Sequence, residues 1–214
     1  MITRKLTVPK TARYFINAEP TSAVKEVVFV CHGYAQLASE FLSQFDGIRN
    51  EQRLVVAPEG LHRFYQRGGY EKVGASWMTR EDRLDDIQDY VQWLDLAAAD
   101  VLLRCPPDIK ITVIGFSQGA ATVSRWASMG MTTIDHLILW CGFFPPDLPA
   151  GNPPKCRSLT IVTASDDKYI DAKRESTNLT SAKAIVATYK HIRFTGGHEL
   201  HAGTLSEIFG SVNQ

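Results

Sequence analysis

Five strand-length runs in this sequence are apolar almost from end to end: 26–31, 54–57, 109–114, 136–142 and 159–163. A strand with one wet face alternates apolar and polar residues. A strand apolar at nearly every position is covered on both faces, as in a parallel sheet with helices on either side. A sixth run, 191–194, comes late in the chain. The segments between the runs carry helical spacing. Leu37, Phe41, Leu42, Phe45 and Ile48 predict a helix over about 38–50. Leu84, Ile87, Tyr90, Val91, Leu94, Ala98, Val101 and Leu102 share one face of a longer helix, with Thr79 as its N-cap and Cys105-Pro106-Pro107 as its end. Further helices are expected at 118–129, 171–183 and about 200–209.

Strand alternating with helix predicts an α/β chain with a mostly parallel central sheet and helices on both faces. At 214 residues, one domain over 1–214 is expected. Residues 4–8 and 12–16, joined at Pro9-Lys10, predict an N-terminal antiparallel hairpin at a sheet edge. Residues 61–77 predict a long irregular excursion and 143–156 a Pro- and Gly-rich loop.

Charge excludes some functions. Lys and Arg number 23, and so do Asp and Glu. No overall field therefore draws the chain to nucleic acid or to an anionic membrane. No apolar stretch is long enough to span a bilayer, and no stable membrane association is expected. The N-terminus has basic residues but no apolar core of a signal peptide. Cys31, Cys105, Cys141 and Cys156 are scattered, without a C-x-x-C or Cys/His cluster, so reduced thiols in a cytoplasmic protein are expected. No metal and no cofactor is expected. The assembly reading is a monomer or a homodimer.

In parallel sheets of this kind ligands sit outside the carboxyl ends of the strands. Reactive residue types follow four of those ends. Gly115-Phe116-Ser117-Gln118-Gly119 joins run 109–114 to helix 118–129. A serine on so sharp a strand-to-helix turn is held out at the sheet edge as a nucleophile, and a Cβ at either flanking glycine would clash. A hydroxyl needs a base. His198, two glycines beyond the last strand, is the choice, with His201 as its rival. The acid that orients the base is Asp166 or Asp167. Asp167 is favoured because Tyr169 and Ile170 are placed to anchor the next turn in the core. The order Ser, Asp, His is that of an α/β-hydrolase. An oxyanion requires donors. The backbone N–H groups of Gln118 and Tyr34 are expected to supply them, with the Gln36 amide as a weaker candidate.

These residues resemble the phospholipase/carboxylesterase family of α/β-hydrolases, which includes acyl-protein thioesterase-like enzymes. The resemblance rests on His32-Gly33, on Gly115-Phe116-Ser117-Gln118-Gly119, on Ser76-Trp77 before a helix, on Asp167 and on Gly197-His198. It spans about 31–199. It implies an α/β-hydrolase fold with no large lid, serine esterase or thioesterase chemistry, and Ser117, Asp167 and His198 as the triad. Trp140-Cys141-Gly142 departs from the family's more usual serine-glycine pair.

A small-molecule ester is therefore the expected partner, cleaved as a carboxylesterase substrate with a small or medium acyl group. Acyl-protein thioesterase or lysophospholipase activity is the alternative. A catalytically dead hydrolase used as a binding module is the third reading. Phe64, Tyr65, Trp77, Met78, Phe143 and Phe144 are candidate walls of the substrate pocket. Arg63, Arg67, Lys72, Arg80 and Arg83 make the same region basic; solvated surface is the favoured reading, and receipt of a phosphate or carboxylate at the far end of a substrate is the alternative.

Overall fold

The apolar runs become the strands of one central sheet. The computed structural model describes residues 1–67, 69–148, 151–186 and 189–210. Gly68, within the expected 61–77 excursion, and Pro149 and Ala150, within the expected 143–156 loop, lie outside the described residues. The chain runs β1 (Tyr14–Ile16), β2 (Glu26–Cys31), α1 (Ala38–Ser43), β3 (Arg53–Pro58), β4 (His62–Tyr65), β5 (Val73–Ser76) and α2 (Arg83–Leu102). It continues through β6 (Lys110–Phe116), α3 (Gln118–Met129), β7 (Ile134–Trp140), β8 (Cys156–Ala164), α4 (Ala172–Ile185), β9 (Lys190–Phe194) and α5 (Ala202–Phe209).

The large sheet has seven strands in the order β1-β3-β2-β6-β7-β8-β9. β1 pairs antiparallel with β3, and the other neighbours are parallel. Alternate residues of each central strand feed two separate cores. Val27, Phe29 and Cys31 pack with Tyr90, Leu94, Val123 and Trp126 of α2 and α3. Val28 and Val30 pack with Phe41, Phe45 and Leu205 on the α1 and α5 side. Two covered faces explain why β2 is buried at every position. Phe29 and Trp126 meet edge to face at 5.5 Å, a favoured aromatic geometry.

Register brings the strand ends level. Cys31 pairs with Gly115, Phe116 with Trp140, Trp140 with Val162 and Ala164 with Phe194. The residues that follow these ends, including Ser117 and Cys141, therefore lie along one edge of the sheet.

Several local expectations are corrected. Residues 1–13 have no regular structure, so the hairpin of 4–8 with 12–16 does not form. The single strand β1 makes the antiparallel edge instead. Residues 1–11 are exposed and present no apolar face to bury, Lys5 reaches over to Asp82 and Asp85, and Pro9 has no N–H to give a ladder. The 38–50 helix is broken into α1 and a 3₁₀ turn at Asp46–Ile48, which still sinks Phe41, Phe45 and Ile48.

Residues 61–77 are not irregular throughout: within them β4 and β5 form an antiparallel pair. Small residues allow it to lie on the loop after β2. A Cβ on Gly74 would stand 2.6 Å from the Ala35 carbonyl, and Ala35 N–H donates to Ala75 at 2.8 Å. α2 begins at Arg83 rather than after Thr79. Its N-cap is Asp82 in a left-handed conformation with φ 46°, and the Thr79 N–H is taken by Asp86 at 3.0 Å. Leu84, at the helix's first turn, is exposed.

α3 is pressed onto the end of β2. A Cβ on Gly119 would lie 2.1 Å from the Cys31 carbonyl oxygen, and one on Gly115 would lie 2.3 Å from the Gly119 oxygen. Backbone at the centre of a sheet cannot give way. Gly119→Ala is expected to lower unfolding stability by about 2–3 kcal/mol, despite alanine's roughly 1 kcal/mol advantage in a helix. Gly47, where a Cβ would meet nothing within 4 Å, serves as the comparison. Gly47→Ala should change stability by less than about 0.5 kcal/mol in the same urea titration.

Candidate active site

Ser117 sits between β6 and α3 with φ 54° and ψ −114°. An L-residue with positive φ is strained, and its surroundings hold it there. Its N–H donates to Trp140 at 2.9 Å, and its carbonyl accepts from Ala120 at 3.0 Å. The glycines at 115 and 119 permit the close passage just described. The side chain is half-buried.

His198 follows β9 and Asp167 follows β8. Their side chains meet, with His198 Nδ1 2.7 Å from Asp167 Oδ2. The Asp167 side chain is 2% exposed and that of His198 11%. A carboxylate only accepts, so Nδ1 carries the proton and Nε2 is left with a free lone pair. The other Asp167 oxygen accepts from Tyr169 N–H at 2.8 Å. Tyr169 is not the core anchor expected. Its ring is exposed and stands edge-on to His198 at 4.7 Å. Phe116 packs against the imidazole from another side at 5.0 Å.

Asp166 takes a different course. It is exposed and accepts from the neighbouring Ser165 hydroxyl at 2.5 Å. His201 caps α5, accepting from Thr204 N–H at 3.2 Å, and stacks on Phe194. Of the candidate acids and bases, the structure thus pairs Asp167 with His198.

Two backbone amides near the strand ends have no protein acceptor among the described residues. The first-turn N–H of Gln118 has no helical partner. In the loop after β2, the N–H groups of Gly33, Ala35 and Gln36 are taken by Gln36 Oε1, Ala75 and Gly33. The Tyr34 N–H has no protein acceptor among the described residues. The Gln36 side-chain oxygen accepts from Gly33 N–H inside its own turn. The Gln118 side chain reaches away to bond Ser76 Oγ at 3.0 Å and the Met78 carbonyl at 3.2 Å. It thereby ties the start of α3 to the segment after β5, a role its place in the motif did not reveal.

A cleft of about 1110 Å³ opens beside Ser117, and neither Tyr34 nor Asp167 is among its lining residues. Ser117, Gln118 and His198 line it, together with Cys141, Phe143 and Phe144. Trp77, Met78 and Phe64 do not. Trp77 is wholly buried, stacked on His32 at 5.0 Å. Met78 packs onto the core, and Phe64 stacks on Tyr34 at 5.3 Å. Loop aromatics here mostly pin the loop down.

Sequence reasoning also missed Arg125. It is 6% exposed, on α3, and lines the cleft. It donates to Asp147 at 2.7 Å and to the Tyr90 hydroxyl at 3.2 Å. Arg83, expected on solvated surface, also pairs with Asp147. Burial alone would push the Asp147 carboxyl up, but Arg125 and Arg83 outweigh it and hold it low. The available signal was a lone charge in an otherwise small and apolar stretch of α3.

One cluster has the composition of a metal site. Ligand atoms of Cys141, Asp167 and His198 lie within 4.8 Å of one another. Burial pushes the Cys141 thiol up to about 12. A metal requires the thiolate, so this cysteine suits a neutral neighbour of the carboxylate rather than a ligand. His32, at the end of β2, serves structure. Its Nδ1–H donates to Gly33 at 2.7 Å and its Nε2 accepts from Gly60 N–H at 3.0 Å.

No family model and no curated protein sequence matches the chain. Solved structures do. Acyl-protein thioesterase 2 of Zea mays superposes with a TM-score of 0.72 at 16% identity, covering 93% of this chain and 96% of that one. Esterase PE8 gives 0.71 at 20% identity, covering 94% and 97%. A phospholipase/carboxylesterase from Dyadobacter fermentans gives 0.67 at 17% identity, covering 95% and 97%. The chain has the α/β-hydrolase fold of these proteins. Among the described residues no helix is long and apolar enough to cross a membrane.

Burial depresses the His32 pKa from 6.5 to about 4. The unfolded chain therefore binds more protons there than the folded one over that interval. Its contribution is intact above pH 6.5 and is lost as pH falls toward 4. Between pH 7 and pH 5 this amounts to about 2 kcal/mol. His32→Gln, which keeps a donor and an acceptor, should reduce the pH dependence by about that much in denaturant titrations at the two pH values.

Proposed function

We propose that this chain is a serine hydrolase of carboxylic esters with small or medium acyl groups. The reading rests on the His198–Asp167 hydrogen bond, set at a cleft that the strained Ser117 shares. Ser117 Oγ attacks the substrate carbonyl carbon while His198 Nε2 takes its proton. Asp167 keeps the proton on Nδ1 and stabilises the imidazolium. The developing oxyanion is received by the Gln118 and Tyr34 N–H groups. The imidazolium then protonates the departing alcohol, leaving an acyl-serine. Water, deprotonated by the same nitrogen, releases the acid and restores the serine. No cofactor enters these steps.

The named neighbours, an esterase, a phospholipase/carboxylesterase and an acyl-protein thioesterase, support the hydrolase class. The cleft volume of about 1110 Å³ exceeds what a short acyl group fills. That favours, as a second reading, a longer acyl ester or thioester such as a thioesterase would take. The same serine chemistry serves both carbonyls. The four free cysteines support a reducing compartment such as the cytoplasm.

Ser117→Ala should abolish p-nitrophenyl ester hydrolysis to within background, a loss of about 10⁶-fold. A fluorophosphonate probe should label the parent and not the variant. Retained hydrolysis would overturn the reading in favour of a binding module. Asp167→Asn should cost about 10⁴-fold in kcat, whereas Asp166→Asn should leave kcat within about twofold. Equal losses in the two would reject Asp167 as the orienting acid.

A further inference from the structure

We propose that the cleft selects esters carrying an anionic group, a carboxylate or a phosphate, held by Arg125 and Arg174 at a distance from the reacting carbonyl. This rests on the serine-hydrolase reading and names its substrate class. Ser117, Gln118, Ala121 and Arg125 all line the cleft from α3 and its N-cap. The spacing of 117, 121 and 125 is that of one helix face. Eight residues of helix put the Arg125 backbone about 12 Å beyond Ser117. Helical side chains lean toward the N-terminus, which draws the guanidinium back toward the serine. A group roughly 6–12 Å from the carbonyl carbon therefore meets it.

The electrostatics of the lining favour an anion. The residues that line the cleft include two arginines, Arg125 and Arg174, and no carboxylate. Arg83 and Arg125 share the one Asp147 carboxylate. One positive charge of the group is left without a partner. Among the described residues the Nε atoms of Arg83 and Arg125 are buried without a hydrogen-bond acceptor. Arg174 makes no ion pair among the described residues. Its guanidinium donates to the Tyr169 carbonyl at 3.1 Å, beside the His198 ring. Phe143, Phe144, Pro145 and Pro146 wall the intervening length, which suits an apolar spacer between ester and anion. A purely structural Arg125 would need only Asp147 and Tyr90, and Arg174 would have no part.

The test compares matched ester pairs. p-Nitrophenyl octanoate against the p-nitrophenyl monoester of octanedioic acid places the charge on the acyl side. Octyl butyrate against the butyrate ester of 8-hydroxyoctanoic acid places it on the alcohol side. The readout is the ratio of kcat/KM, anionic over neutral, in the parent, Arg125→Met, Arg125→Lys and Arg174→Gln. A charge-assisted hydrogen bond in such a site is expected to give at least a tenfold preference for the anionic ester in one pair. The preference should appear mainly in KM. It should fall toward unity in Arg125→Met and be partly restored in Arg125→Lys. Arg174, being exposed, tolerates substitution, so Arg174→Gln reads the same ratio if Arg125→Met fails to fold. A Ser117-dependent activity that prefers the neutral ester in both pairs overturns this inference and leaves the hydrolase reading standing. So does a preference untouched by either arginine. Failure of all four esters to show Ser117-dependent turnover overturns the hydrolase reading itself.

Discussion

The sheet edge that carries Ser117 depends on the closeness of α3 to the end of β2. Gly119 stands where any side chain would enter the Cys31 carbonyl. That contact lets the chain leave β6, reverse through Ser117 and enter a helix within one residue. The strain at Ser117, with φ 54°, is sustained by hydrogen bonds to β7 and to the first turn of α3. The same reversal leaves the N–H of Gln118 without a protein acceptor among the described residues. Elsewhere α3 is held by Asp95 of α2, which accepts from Trp126 Nε1 at 2.8 Å and from the turn at Met131 and Thr132. Position at the site is thus fixed by packing far from it.

Around that edge, polar side chains divide into two kinds. Some close on one another. His32 is neutral and satisfied, and Gln118 is clamped to Ser76 and Met78. Others retain capacity. On the proposed mechanism His198 keeps a lone pair on Nε2, and the Arg83–Asp147–Arg125 group keeps a charge. The cleft joins the two unsatisfied centres along one face of α3, with an apolar wall between them. Such a layout suits a carbonyl at one end of a substrate and an anion at the other.

Much of the architecture was legible in the residues. Strands apolar on both faces could mean only a sheet covered twice, and α3 appeared over the span its periodicity predicted. The elements that were misread share a cause. The 4–8 segment had weak alternation and no partner to bury it. The 62–65 and 73–76 strands owe their pairing to the loop at 33–36, a surface absent from their own sequence. Trp77 read as a loop aromatic free to wall a pocket, yet it is buried under His32. Asp167 was favoured for a wrong reason. Tyr169 does not anchor the turn in the core. It gives Asp167 its backbone N–H.

By itself, the sequence determined the sheet, its buried strands and the residue types at each strand end, because hydrophobic period and turn chemistry are local. It narrowed the acid to two adjacent aspartates and the base to two nearby histidines. The residue types favoured Asp167 and His198, but only the tertiary structure shows that these two side chains meet, since that depends on which carboxylate the turn after β8 aims at the turn after β9. The same holds for Arg125. Its burial, its shared carboxylate and its place on the cleft arise from α2, α3 and the loop after β7 meeting. Contacts between segments far apart in the chain leave no periodic mark on any one of them.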